Sequence, residues 1–224
     1  FLFFFSPGYG STIEVGRDRV VTSLRKAVEQ AQDGDTILLH KGIYKEGNII
    51  ITKGIRLIGV GNPVLDGEKE NELLTVSGTG ILIKGITFAN SGYSSMNDYA
   101  ALKIIDASYI IVENNIINNA FFAIHVANSN RVIIRNNTIK TFSESEQISG
   151  NGIHLWKCND MLITDNHIEG HRDGIYFEFV YHSFIQNNHS EKNIRYGLHF
   201  MFSNNNSYLN NTFVNNGAGV AVMY

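Results

Sequence analysis

A repeat of about 22 residues constrains this chain more than any other feature. Asn-rich pairs recur at Asn114-Asn115, Asn136-Asn137, Asp165-Asn166, Asn187-Asn188 and Asn210-Asn211, their first members 22, 29, 22 and 23 residues apart. A Gly/Ala-apolar-X-apolar motif keeps the same time. It starts at Ala101, Ala123, Gly152, Gly174, Gly197 and Gly219, at intervals of 22, 29, 22, 23 and 22 residues. Two markers sharing one period and one insertion indicate a solenoid. The content of each repeat selects its type. Short apolar runs such as Ile110-Ile111-Val112 and Val132-Ile133-Ile134 alternate with turn residues at strand-like spacing, and no 3.6-residue apolar period appears after residue 40. The expected fold is therefore all-β: a right-handed parallel β-helix, each coil stacking about 4.8 Å above the last.

Asparagine at the corners has a physical reason, and 26 of the 224 residues are Asn. Asn tolerates the left-handed backbone that tight corners need, and stacked coils align equivalent amides into hydrogen-bonded columns. Regular Ile, Leu and Val positions argue against the disorder that Asn-rich composition otherwise suggests. A net charge of −3 leaves no basic stripe, so nucleic acid is not an expected partner.

Domain organisation follows from the same pattern. The apolar run Phe1-Leu2-Phe3-Phe4-Phe5, followed by small residues at Gly8 and Gly10, reads as the remnant of a secretory signal peptide over 1–10, or alternatively as a short strand. Residues 11–40 read as an N-terminal cap. Within it 22–32 is the one helix candidate, with Thr22 or Ser23 as N-cap and Leu24, Ala27, Val28 and Ala31 on one face. Residues 41–224 carry the β-helix repeats, and the end at Val220-Ala221-Val222-Met223-Tyr224 inside a strand motif reads as a truncation. The single cysteine, Cys158, excludes an intramolecular disulfide, and no run of about 20 apolar residues spans a membrane.

Strand alternation assigns the chemistry. In the four-residue motif the second and fourth residues point inward and the third outward. The inward positions are Leu102/Ile104, Ile124/Val126, Ile153/Leu155, Ile175/Phe177, Leu198/Phe200 and Val220/Val222, all apolar. The outward column reads Lys103, His125, His154, Tyr176, His199, Ala221; two residues on, a second column reads Ala127, Trp156, Glu178, Met201, Met223. Imidazole and thioether together suit copper better than calcium or magnesium. The functional reading is a copper-handling or ligand-binding strip centred on His154, Tyr176, Glu178, His199 and Met201. The competing reading is an ordinary exposed ladder of stacked rings. His40, His167, His171, His182 and His189 fall at corners or scattered positions and read as solvated.

A sugar-cleaving reading also has to be weighed. Glycosidases need two carboxyl groups about 5 to 9 Å apart facing one bond. Here Glu178 and the corner residue Asp173 read as lying on different surfaces, with Asp160 and Asp165 elsewhere on the coil. Arg172 and Arg195 beside Asp173 imitate the mixed basic and acidic site of a uronate lyase or epimerase.

Particular segments resemble known families. Gly34-Asp35-Thr36-Ile37, Gly42-Ile43-Tyr44, Ile58-Gly59 and Gly61-Asn62-Pro63-Val64-Leu65-Asp66-Gly67 look like the opening coils of pectin-lyase-like (CASH-type) β-helices. Gly150-Asn151-Gly152-Ile153-His154-Leu155-Trp156, Arg172-Asp173-Gly174-Ile175-Tyr176-Phe177, the run Arg195 to Asn204 and Gly217 to Tyr224 resemble the NosD family of nitrous oxide reductase maturation proteins. That resemblance implies a secreted, periplasmic accessory protein without catalytic activity of its own. It would work with an ABC-type ATPase and permease, a copper donor lipoprotein and nitrous oxide reductase, assisting delivery of copper, alone or together with sulfur. It sharpens the expected sites to His154, His199 and Met201 as copper ligands, with His125 and Met223 as further candidates. Trp156, Tyr176, Glu178, Asp173, Arg172 and Arg195 would form the partner or ligand face. The alternative remains a polysaccharide-binding or sugar-cleaving β-helix.

Overall fold

A computed structural model describes residues 10–94, 98–142 and 145–224. Almost all of the apolar start assigned to a signal peptide, and part of the insertion after Phe142, lie outside the described residues. The chain winds into a right-handed parallel β-helix of about nine coils. Three parallel sheets form its faces: sheet I has nine strands from Thr12–Val15 to Ser207–Leu209, sheet II eight from Ile43–Tyr44 to Thr212–Val214, and sheet III eight from Ile49–Ile51 to Ala218–Met223.

The asparagine columns hold the corners. First members of the pairs take the left-handed conformation: Asn114, Asn136, Asp165, Asn187 and Asn210 have φ between 54° and 57°. Second members stack inside the coil, where Asn115, Asn137, Asn166 and Asn188 are buried. Each side-chain carbonyl accepts from the backbone and amide N–H of the preceding coil, from Asn115→Asn137 (3.0 and 3.1 Å) through Asn188→Asn211 (2.9 and 2.9 Å). Buried corner amides are thereby satisfied where the sheets break.

The motif glycines have a packing reason. A Cβ on Gly174 would lie 2.0 Å from Ser190 Oγ and 2.8 Å from the Gly197 carbonyl; one on Gly197 would meet Phe213 at 2.5 Å. At these two coils the chain entering sheet III passes too close to its neighbours for a side chain, whereas Ala101 and Ala123 carry a Cβ at the same motif position in earlier coils.

The expected helix forms over Leu24–Gln30, shorter than 22–32, with Ser23 as N-cap and Leu24, Ala27 and Val28 buried. Glu46 reinforces its start by accepting from the N–H groups of Leu24 (2.8 Å) and Arg25 (3.0 Å), a favourable place for a carboxylate. The helix packs on the edge strands Thr12–Val15 and Ile49–Ile51 and on Thr36–His40. The inward positions named from alternation are fully buried through Leu198, and Phe200 is nearly so; in the last coil Val222, on the edge strand of sheet III, is 70 % exposed.

Candidate functional site

Sheet III carries both outward columns in the expected register. Lys103, His125, His154, Tyr176, His199 and Ala221 pair coil to coil, as do Trp156, Glu178, Met201 and Met223. The first column differs from expectation in one respect: it is not exposed. His125, His154 and Tyr176 keep 8 to 9 % of their surface and His199 keeps 1 %, although none belongs to the apolar core. The rings cover one another and are flanked by others. His125 stacks on His154 at 4.8 Å and 12°, Phe122 lies 5.6 and 5.3 Å from those two, and Tyr176 sits edge-on between His154 and His199 at 4.8 Å from each. Tyr196 closes on His199 from the side at 4.8 Å. Lys103 at the start of the column is ion-paired with Glu72.

This arrangement separates residues that the sequence pattern grouped. Tyr176 intervenes between His154 and His199, so they are two coils apart, about 9 to 10 Å. They do not meet round one ion. His199 and Met201 share one end of the column, linked through Tyr176, whose hydroxyl lies 3.3 Å from Met201 Sδ and 3.2 Å from Glu178 Oε2. Burial, then the charge of Glu178, pushes the Tyr176 hydroxyl up to about 12, so it remains a donor at neutral pH. Met223 is the in-register neighbour of Met201. Trp156 stands apart on the second column under Lys157, whose ammonium is 4.2 Å from the indole.

Polar partners at Nδ1 differ between the two central imidazoles. Asp173, fully buried, takes two hydrogen bonds from Arg195 (3.1 and 2.8 Å) and one from His199 Nδ1 (3.3 Å). Burial alone would raise the Asp173 carboxyl; hydrogen bonds from His199 and Arg195 outweigh it and hold the group below its ordinary value. His199 Nδ1 also lies 3.4 Å from Arg195 Nη2; a proton on Nδ1 facing the nearer carboxylate leaves Nε2 bare, and Nε2 has no partner among the described residues. This is the carboxylate-backed imidazole that metal sites use. His154 is wired the other way. Asn151 Oδ1 accepts from Arg172 Nε (3.2 Å) and the Asp173 N–H (3.3 Å), which turns its amide nitrogen toward His154 Nδ1 at 3.4 Å. His154 Nδ1 therefore accepts and Nε2 is left with the proton, although that atom too has no partner among the described residues. Burial, then the neighbouring His125 and Arg172, keeps His154 well below its ordinary pKa, hence neutral; burial lowers His125 likewise.

Both Nε2 atoms are thus buried without a partner among the described residues; the two imidazoles differ in what reaches Nδ1, a carboxylate at His199 and an amide at His154. Asp173 is a correction: expected on the partner or ligand face, it is fully buried as the partner of His199 and Arg195. His171, expected to be solvated, is also fully inside, and burial pushes it down to about 3. His167 and His189 are not scattered. They meet Glu191 on sheet II, where the three form the one group of His, Cys, Asp or Glu ligand atoms within 4.8 Å among the described residues. The pattern His-x-Glu at 167–169 and 189–191, one repeat apart, was the available signal.

The architecture defines the class. Residues 72–224 match the family described as the right handed beta helix region, and the chain belongs to that family. Over 130 residues, 57% of the chain, it is 30% identical to "Probable ABC transporter binding protein NosD" of Pseudomonas aeruginosa, and it spans 30% of that protein's length. Among solved structures it is similar to the polygalacturonase of Erwinia carotovora (TM-score 0.73, 14% identity, 98% of this chain, 73% of that one). It is also similar to PfbA, a surface adhesin of Streptococcus pneumoniae (TM-score 0.68, 13% identity, 84% and 56%). At these identities the likeness is one of fold. Among the described residues no helix is long and apolar enough to cross a membrane.

Proposed function

We propose that this chain is a periplasmic accessory protein in nitrous oxide reductase maturation, docking on an ABC-type ATPase and permease and assisting copper delivery from a donor lipoprotein. The observation that carries this reading is the 30% identity, over 130 residues, to a protein described as a probable ABC transporter binding protein, NosD. Copper is cargo in this reading. His199 Nε2, backed by Asp173, and the Met201 thioether form its contact point, with Met223 one coil on; His125 and His154 extend the column as a stacked, neutral wall. Trp156, Glu178, Arg172 and Arg195 face the partner. The test is copper loading of the reductase in cells carrying His199→Ala/Met201→Ala, with His154→Ala beside it. Loss of loading in the first and retention in the second is expected. Full loading in the double variant, with the permease still co-purifying, overturns the copper role and leaves a docking role.

A polysaccharide-binding or sugar-cleaving β-helix is the second reading. It is supported by the row Phe179, Phe202 and Tyr224, stacked at 5.2 and 5.9 Å on the neighbouring edge, a surface suited to sugar faces. Against cleavage, Asp173 is committed to Arg195 and His199, and Glu178 to Tyr176. Binding of polygalacturonate that is abolished by Phe202→Ala and indifferent to copper would favour this reading over the first.

A further inference from the structure

Sheet II, a separate face from the His199 column, carries a cluster that no part of the proposed function uses. His167 and His189 are register partners in adjacent strands, and Glu191 follows His189 by two residues on the same side; the intervening Ile168 and Ser190 point inward and are fully buried. His167 Nε2 lies 3.0 Å and His189 Nε2 3.6 Å from the same Glu191 oxygen, and the two rings are 5.0 Å apart at 74°. Neighbouring coils place Thr138 and Thr212 at the same position, so the imidazole pair is bounded on both sides.

The geometry points to a surface site for one first-row divalent cation, held by His167 Nε2, His189 Nε2 and Glu191 Oε1. A tetrahedral ion with bonds of about 2.0 to 2.1 Å sets its ligands about 3.3 to 3.4 Å apart, and the two distances to Glu191 bracket that value. Two imidazoles with one carboxylate select zinc, nickel or copper(II) over calcium or magnesium. The fourth position opens to solvent, because the histidine side chains are 39 and 42 % exposed. Nearby charges leave Glu191 available. Glu169, its register partner, is taken by Lys140 (2.9 Å) and Lys192 (2.7 Å), and Lys192 reaches only the other oxygen of Glu191, at 3.5 Å. The backbone is already fixed by parallel pairing, so binding requires side-chain rotation alone.

The experiment is calorimetric titration of the chain with Zn²⁺, repeated with Co²⁺ to read ligand-field absorption. Variants are His167→Ala/His189→Ala, Glu191→Gln, and His199→Ala/Met201→Ala as a control on the other face. One equivalent is expected in the parent chain and in the control. Affinity should fall by more than about tenfold in each sheet II variant, with tetrahedral Co²⁺ bands lost and circular dichroism unchanged. No Zn²⁺ equivalent in the parent chain, or binding that survives His167→Ala/His189→Ala, overturns the site. Loss in the control instead would move the ion to the His199 column.

Discussion

Asn137 and Asn166 are 29 residues apart in sequence and one coil apart in space: the side-chain amide and backbone N–H of Asn137 both donate to Asn166 Oδ1, at 2.9 and 3.1 Å. The insertion between them leaves the column unbroken. Asn166 in turn donates to the carbonyls of Ile134 and Thr164 and to Asn188 Oδ1, at 2.9 to 3.0 Å. One buried amide thus serves five hydrogen bonds.

Replacing Asn166 by Ala should therefore destabilise the fold by about 2 to 4 kcal/mol, since several buried backbone groups lose their partner and each orphan costs about 1 to 3 kcal/mol. Asn211→Ala, at the half-buried end of the same column, should cost clearly less. Urea unfolding of the two variants measures the difference. Equal costs would mean that the column does not act through burial.

His171 gives a pH dependence with a definite sign. It is fully buried, neither ring nitrogen makes a hydrogen bond of ordinary geometry among the described residues, and burial, only partly opposed by the nearby Gly150 backbone, lowers its pKa from 6.5 to about 3. Between about 6.5 and about 3 the unfolded chain binds a proton that the folded chain refuses. Stability attributable to this group falls as pH drops through that window, by about 1.4 kcal/mol per pH unit. Its backbone N–H donates to Asn193 Oδ1 at 3.0 Å, so it occupies the head of a second asparagine column continued by Asn216. His171→Asn should flatten the decline in urea midpoint between pH 7 and pH 5, leaving the part due to the similarly depressed His154. An unchanged slope would place the acid sensitivity elsewhere.

The fold was legible because stacking writes itself into sequence at one period. Asn corners and inward Ile, Leu and Val repeat, so coil length, insertion and register follow from residue positions alone. The site was legible only in outline. Alternation placed His154, Tyr176 and His199 on one column, but burial of that column depends on Phe122 and Tyr196 leaning over it, and those contacts carry no period. Likewise the opposite tautomers of His154 and His199 depend on whether Asn151 or Asp173 reaches Nδ1. Both residues precede a motif glycine by one position, and only geometry distinguishes what they do. The His167, His189 and Glu191 group was visible in principle, as a pattern repeated at the coil length.

Gly174→Ala tests the packing reason for the motif glycine. Its Cβ would stand 2.0 Å from Ser190 Oγ and 2.8 Å from the Gly197 carbonyl, and Ser190 Oγ is itself bonded to that carbonyl at 3.0 Å. Relief requires breaking a buried hydrogen bond and shifting the adjacent coil, at a cost of roughly 2 to 4 kcal/mol. Ser190→Ala in the same chain should recover part of that loss, because the nearest clash disappears. Thermal unfolding of the single and double variants decides. No recovery would assign the strain to the coil backbone alone.

Asp173→Asn tests the tautomer argument directly. The variant is nearly isosteric, and its single side-chain oxygen can keep one of the two bonds, 3.1 and 2.8 Å, that Arg195 makes to Asp173. Asp173 Oδ2 takes both the 2.8 Å bond from Arg195 and the His199 contact, so the variant sets its amide nitrogen before His199 only at the expense of that bond; where it does, Nδ1 meets the arrangement already present between Asn151 and His154. His199 should respond by moving its proton to Nε2, which removes the lone pair that a metal needs. Imidazole ¹⁵N spectra of the parent chain should show an unprotonated Nε2 on His199 and a protonated one on His154; in the variant both should be protonated at Nε2. Stability should fall by about 2 to 4 kcal/mol, because Arg195 loses a buried charge partner. Cu(I) binding through His199 should weaken with the tautomer change, although the histidine itself is retained. A His199 spectrum unaffected by Asp173→Asn would separate the carboxylate from the imidazole and return the column to a purely structural stack.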